Sequence, residues 1–383
     1  MMTGLNTSNS LVYVSFEPLR EGHASYTHVC EVVEGLERSG WNVTLMTPQY
    51  RGKGLPSITA RIFSLFNLWW RVLFTEKPDV YYARMHFAGF VIALIASLRS
   101  VPSIVEVNGP YEDLYIAWPF VRRFRGLFDW MMTGQLKRAK GIISVTPGLQ
   151  RYCRTKLVDK DEHVSYEVIT NGANISEFLK LSELQPRRLS FESEITQPYA
   201  VFFGTFARWQ GIQAILEAAS SSNWPKGLNL LLAGDGAMRG SVEKYAKRYE
   251  HIRYIGRVAY NEIPYLIANA QIGFALTENI DQRGLYGAYP LKLFETLSCG
   301  VPAVVSEMDG QADVIQEGNC GILVPQGAVT DIVKAVSKLH DDPKVAMQMG
   351  DRGRALVHRK YAWSKIAERT DIFIRGIIEV PKG

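Results

Sequence analysis

One pattern constrains this sequence more than any other. A short apolar strand followed by an amphipathic helix recurs along the chain, in two series separated by a polar break. The first series opens with LVYVSF (11–16), a helical pattern from Tyr26 to Arg38 closed by Gly40, and a second strand, WNVTLMTP. Strand, helix, strand at this spacing is a βαβ unit, and βαβ units build parallel sheets. DVYYAR (79–84), an apolar helix (87–98), SIVEVNG (103–109), a long helical region (118–139), GIISVT (141–146) and YEVITNG (166–172) continue it. Residues 180–198 carry Pro186 and Pro198 with no periodicity and read as a linker. YAVFFG then starts a second series, with LNLLLAG, IRYIG, QIGFALT, VPAVVS and GILVP as further strands and helices between them. The expectation is two doubly wound α/β domains of similar size.

At 383 residues the chain is long enough for two domains, and 47% hydrophobic with 21% charged residues is an ordinary globular composition. Cys30, Cys153, Cys299 and Cys320 form no CxxC pair, which argues against a disulfide scaffold or zinc ribbon and points to a reducing compartment. The clearest apolar stretch, Phe87 to Leu98, has 12 residues, short of the ~20 a spanning helix needs. The N-terminus shows no signal-peptide pattern. Charge is uneven: residues 51–160 hold 17 Lys and Arg against 7 Asp and Glu, while the whole chain carries only +5. Such a basic region suits nucleic acid, an anionic membrane or a phosphorylated substrate. No RNA- or DNA-binding motif accompanies it, so nucleic acid is not expected.

The segment GLYGAYPLKLFETLSCGVPAVVS is the most informative. Pro290 suits the first helical position and Gly300 the end, which puts Lys292 in the first turn. A lysine there opposes the helix dipole at a cost of a few tenths of a kcal/mol. A phosphate held jointly by Lys292 and the amides of Leu291 and Lys292 removes that cost. Glu295, within one turn, is placed to accept both hydroxyls of a ribose; the plainer reading is a capped, partly buried glutamate. FFGTFARWQG ends a strand at Gly204 and carries Arg208 toward the next helix, either as a second phosphate contact or as a surface arginine. Gly234 sits at a strand end before a helix, and Gly22 lies in the loop that opens the first helix. Both are places where ligands approach a parallel sheet. No GxGxxG motif is present, so a nicotinamide fold is a weak reading. ARMHF and EVNGP put His86, Glu106 and Asn108 at strand ends of the first domain, where a histidine is as readily structural as functional.

Taken in order, these residues resemble the retaining nucleotide-sugar glycosyltransferases of the GT-B fold, family 4, over nearly the whole chain. GHASYTHVCEVVEGLERSGWNVTLMTP is similar to that family's opening loop, helix and strand, and VITNGANISEF to its segment at the end of the first domain. FFGTFARWQGIQAILEA, LLAGDGAMR, IRYIGRVAYNEIPYLIANAQIGFALT, FETLSCGVPAVVS and CGILVP follow in family order. YAWSKIAERTDIFIRGI is similar to the last helix, which in the family crosses back to the first domain. Two departures stand out. The first donor-site glutamate of the family falls at Gly287, with the second at Glu295. The family's basic pair on the phosphates falls at Thr205 and Gln210, so Arg208 and Lys292 are the candidates to replace it, and a family histidine falls at Asn108.

The resemblance implies two Rossmann-like domains facing a cleft. The first, residues 1–181 joined by the C-terminal helix 362–383, would bind the acceptor; the second, residues 190–361, would bind the nucleotide sugar. It implies transfer with retention, without metal or cofactor, from a nucleoside diphosphate sugar, UDP in preference to GDP. Lys292, Arg208, His86 and Asn108 are the expected catalytic residues. Gly22, Gly204, Gly234, Arg257, Val258, Leu291, Lys292 and Glu295 are the expected donor-binding residues. Aromatics at helical spacing in RIFSLFNLWWRVLF and among six Lys and Arg in WPFVRRFRGLFDWMMTGQLKRAK suit an anionic membrane surface. The expected acceptor is therefore a lipid-linked saccharide or oligosaccharide of bacterial surface polysaccharide synthesis. The expected location is the cytoplasm, peripheral on the inner face of the membrane. A GT-B epimerase acting on a UDP-sugar and a catalytically degenerate homologue acting as a binding partner are the alternatives.

Overall fold

A computed structural model describes residues 9–19, 21, 24–50, 57–157, 163–191, 198–280 and 284–379. The chain divides into two compact units, residues 1–170 with 364–383, and residues 171–363.

The first unit holds a six-stranded parallel sheet of β1 (Ser10–Val14), β2 (Asn42–Met46), β3 (Val80–Arg84), β4 (Ser103–Val107), β5 (Gly141–Ser144) and β6 (Ser165–Val168), in the order β2-β1-β3-β4-β5-β6. Its helices are α1 (Ala24–Arg38), α2 (Ile58–Phe74), α3 (Gly89–Leu98), α4 (Glu112–Ala117), α5 (Arg125–Leu136) and α6 (Pro147–Lys156). Alternation along the strands separates the two faces. Val12, Val14, Tyr81 and Ala83 form a core with Leu68 and Val72 of α2 and Ile92 and Ile95 of α3. Tyr13 and Tyr82 alternate with these, and their hydroxyls reach Glu106, which His28 of α1 also meets. The region 118–139, expected as one helix, is broken: α4 ends at Ala117, Pro119–Phe124 is a 3₁₀ turn, and α5 follows. Pro119 donates no backbone bond and disfavours a helical residue before it, so the helix cannot run through.

The second unit repeats the plan with β7 (Tyr199–Thr205), β8 (Asn229–Asp235), β9 (Ile252–Gly256), β10 (Ile272–Ala275), β11 (Ala303–Ser306) and β12 (Gly321–Val324), in the order β12-β11-β10-β7-β8-β9. α7 (Ile212–Ala219), α8 (Arg239–Arg248), α9 (Ile263–Ala268), α10 (Leu291–Ser298), α11 (Gln311–Gly318), α12 (Val329–Asp341) and α13 (Pro343–Leu356) complete it. Both sheets reverse direction beside their first strand. That switch point, at the carboxyl ends of the strands, is where open parallel sheets take ligands.

Residues 171–181, expected with the first domain, pack with the second. Ala173 pairs with Ala362, Phe178 is buried against Tyr199, and Glu183 forms a two-pronged ion pair with Arg354 at 2.7 Å. The expected linker is also anchored, because Ser190 donates from both its amide and hydroxyl to the buried carboxylate of Glu262. The last helix, α14 (Trp363–Ile378), joins the first unit from Ser364 onward. Gly35 of α1 leaves room for Ala367, and the Trp41 indole donates to Asp371 at 2.6 Å.

Candidate active site

In the second unit the switch point lies between β7 and β10. The loop after β7 is fixed by close backbone approach. A Cβ on Gly234 would stand 1.8 Å from the Gly204 carbonyl oxygen, and one on Gly236 would stand 2.7 Å from that of Phe206. Both glycines have φ near +150°, a region side chains avoid. The expected donor-binding role of Gly234 thus has a structural duty beside it. Further on, the Glu278 amide donates to the Trp209 carbonyl at 2.8 Å, tying the Arg208–Gln210 turn to the end of β10.

α10 supplies the charged groups. Pro290 is its N-cap rather than its first helical residue, so Leu291 and Lys292 are the first two positions. The Lys292 ammonium lies 3.8 Å from the centre of the Phe202 ring and donates to Gln210 Oε1. It also faces the α-carbon of Gly204, where a Cβ would be 3.6 Å away. Burial drives its pKa from 10.5 down to about 7, with Glu295 opposing. One turn on, Glu295 is buried, and burial raises its pKa from 4.5 to about 7 against the opposing effects of the Tyr260 hydroxyl and Lys292. Tyr260 donates to Glu295 Oε1 at 3.1 Å, and Oε2 takes no hydrogen bond among the described residues. The site thus offers a cation with an amide oxygen and an aromatic face for partners, free amides at a helix N-terminus, and a carboxylate with one open oxygen. Those are the groups a diphosphate and a diol require.

The structure brings Gln210 to Lys292, whereas Arg208 is exposed. Arg257 is exposed and engaged with Asp235 at 3.2 Å, Val258 is half-buried, and Gly22 lies outside the described residues. Gly287 has φ +79°, and a Cβ there would stand 2.7 Å from the Asp309 carbonyl oxygen. The Ala288 amide donates to that same oxygen at 2.9 Å, so this loop is built for glycine.

In the first unit, Glu106 at the end of β4 is buried and saturated. It accepts from Asn108 Nδ2 at 2.6 Å, the Tyr82 hydroxyl at 2.6 Å and the Tyr13 hydroxyl at 3.4 Å. His28 Nε2 lies at 2.9 Å and Arg84 Nε at 3.3 Å. Burial alone would raise its pKa, but His28, Arg84 and Tyr82 hold it well below the carboxylate range. A carboxylate in that state accepts only, which fixes the Asn108 amide with its nitrogen inward. His86 stacks on Phe16 and Phe87, accepts from the Ala88 amide at Nδ1, and is held neutral by burial with a pKa near 4. Tyr260, Phe202, His28 and Arg84 carry no signal in the sequence, and Gln210 enters there only as a position where the family's basic pair falls.

Two doubly wound parallel sheets, one with a cationic turn at its switch point, fit the GT-B fold. A profile described as Glycosyl transferases group 1 matches residues 187–356, and one described as Glycosyltransferase Family 4 matches residues 26–177. The chain belongs to glycosyltransferase family 4. It is similar to alpha-D-kanosaminyltransferase of Streptomyces kanamyceticus, 21% identical over 74% of this chain and 72% of that one. Among solved structures it resembles sucrose-phosphate synthase of Thermosynechococcus elongatus (TM-score 0.76, 15% identity, 96% and 99% of the two chains). It also resembles Anabaena HepE in complex with UDP-glucose (TM-score 0.69, 14% identity, 96% and 99%).

Proposed function

We propose that this glycosyltransferase transfers a sugar from a UDP-sugar, with retention and without a metal, to a lipid-linked saccharide of bacterial surface polysaccharide synthesis. The observation that carries the donor half is the Lys292 ammonium, half-buried in the first turn of α10 with no carboxylate in contact among the described residues. A diphosphate placed there meets Lys292 and the amides of Leu291 and Lys292, with Arg208 near the same loop. As the bond to the sugar breaks, charge grows on the diphosphate, and prearranged positive groups stabilise that charge most. Glu295 accepts the ribose hydroxyls. UDP is preferred to GDP because a protein of like fold holds UDP-glucose. Retention rests on family membership.

The acceptor half rests on the first unit. Its basic excess would draw the protein to an anionic membrane face, where a lipid-linked acceptor resides. His86 and Asn108 are assigned to this half. The test is calorimetry with UDP and uridine on the purified protein, beside release of UDP from UDP-glucose. Lys292→Ala weakening UDP far more than uridine, and Glu295→Ala weakening both, supports the assignment. Equal weakening of both ligands by Lys292→Ala refutes the phosphate role. Absence of both UDP binding and UDP release refutes the UDP-sugar reading.

A further inference from the structure

The first unit exposes an apolar face that no other part of the described chain covers. α2 buries one stripe, Ser64, Leu68 and Val72, spaced four residues apart. At 100° per residue the opposite side of the helix carries Ile58, Ile62, Phe63, Phe66, Trp70, Leu73 and Phe74. Phe63, Phe66, Trp70 and Phe74 are 61–74% exposed. Trp69, next in sequence, belongs to the fold instead: its indole donates to the Ala88 carbonyl at 3.0 Å.

A second segment, some fifty residues on, extends the same surface. Phe120, Phe124, Leu127 and Trp130 are also exposed. Arg61 of α2 stacks over Trp118 at 4.7 Å, while Phe87 meets Phe128 and Phe90 meets Trp130 at the flank of α3. α2, α3 and the 118–130 segment therefore form one continuous surface. Monomeric proteins rarely leave so much contiguous apolar area in water without a use for it.

Charge indicates the occupant. α2 contains no acidic residue and residues 118–130 contain only Asp129, yet together they carry Arg61, Arg71, Arg122, Arg123 and Arg125, of which Arg125 is paired with Glu112 and Asp129. Arg122 and Arg123 are exposed and make no ion pair among the described residues. Exposed aromatics beside an excess of cations match the headgroup boundary of an anionic bilayer. No helix among the described residues is long and apolar enough to cross a membrane.

We propose that this face is an insertion surface. Phe63, Phe66, Trp70, Phe74, Phe120 and Phe124 enter the boundary between headgroups and acyl chains, and Arg122 and Arg123 contact the lipid phosphates. The proposal rests on the peripheral-membrane reading and adds that anchoring is by apolar burial, with charge steering the approach.

The test uses the full chain and vesicles of phosphatidylcholine, with and without phosphatidylglycerol, at low and high salt. Acyl-brominated lipid should quench tryptophan fluorescence, and Trp70→Phe should remove part of that quenching. Binding to anionic vesicles should weaken at high salt but persist. The double variant Phe66→Ser, Trp70→Ser changes only exposed positions, so its melting curve should match the parent. Its partitioning should fall about tenfold or more. Parent protein that fails to bind anionic vesicles at low salt overturns this proposal and the peripheral reading together. Binding that is fully released by salt, unquenched and unchanged in the double variant overturns insertion alone and leaves electrostatic attachment standing. A parent that self-associates, with the double variant monomeric, overturns the lipid assignment in favour of a second copy of the chain.

Discussion

Replacing Lys292 by Met should make the protein more stable and its donor site inactive. In the folded state burial lowers the lysine pKa from 10.5 to about 7. At ~1.4 kcal/mol per pKa unit, holding this group in its site disfavours folding at pH 7 by at most about 4 kcal/mol. Methionine has a similar length and carries no charge. It gives up the attraction to the Phe202 face, worth ~1–2 kcal/mol, and leaves Gln210 to find water. The balance is a gain of about 1–3 kcal/mol, or roughly 2–4 °C in Tm per kcal/mol for a unit of this size. The pH dependence identifies the cause. A depressed lysine pKa destabilises most below the folded value near 7, and the penalty fades as pH rises toward 10.5. The gain from Lys292→Met should therefore be largest at pH 6 and small at pH 10. Thermal melts across pH, beside calorimetry with UDP, read both effects. A variant that loses more than ~1 kcal/mol of stability, or one that still binds UDP as tightly as the parent, refutes the reasoning.

Glu106→Gln should destabilise the first unit by about 3 kcal/mol, because it leaves Arg84 buried beside a neutral amide. Since the folded Glu106 pKa is depressed, its stabilisation is present above about pH 4.5 and lost as pH falls toward the folded value. Acid unfolding of the parent below pH ~5 should thus be steeper than that of the variant, and parallel acid limbs would count against a charged Glu106. Gly234→Ala must push a methyl into the Gly204 carbonyl and should lower stability by more than ~2 kcal/mol. Gly227→Ala, at φ +84° with open space around it, should lose only ~1 kcal/mol. Denaturant melts showing equal losses would remove the close-approach argument.

The fold was largely legible because parallel strands buried on both faces appear as short apolar runs, and the helices between them keep their own period. What was missed depended on partners distant in sequence. Residues 171–181 have a composition that fits either domain; partners later in the chain, among them Tyr199, Tyr289, Ser298 and Ala362, draw them into the second unit. Lys292 stood out because its sign is wrong for its place on a helix. Gln210, 82 residues from Lys292, and Tyr260, 35 residues from Glu295, complete the surroundings of the two charged groups, and neither carries a local signal of that part. The aromatic spacing of α2 was visible as well, but spacing alone does not tell Trp69 from Trp70. Their fates differ because Ala88 offers a carbonyl to one indole and nothing to the other.

The two switch points share a topology and differ in chemistry, and that difference bears on the roles proposed for them. In the first unit the ion at the sheet's end is Glu106, whose two oxygens already meet five donors. Such a carboxylate has no lone pair left for a substrate proton and a pKa too low to take one. It therefore acts by holding Asn108 and Arg84 in place. In the second unit the ion is Lys292, whose partners are an amide oxygen and a ring face, and whose charge costs the resting protein stability. A saturated anion gains nothing from a ligand; an undercompensated cation gains most from a dianion. That contrast supports the proposal that the anionic leaving group sits on the second unit. On the proposed reading, the first unit is left to bind the hydroxyl-bearing partner that receives the sugar.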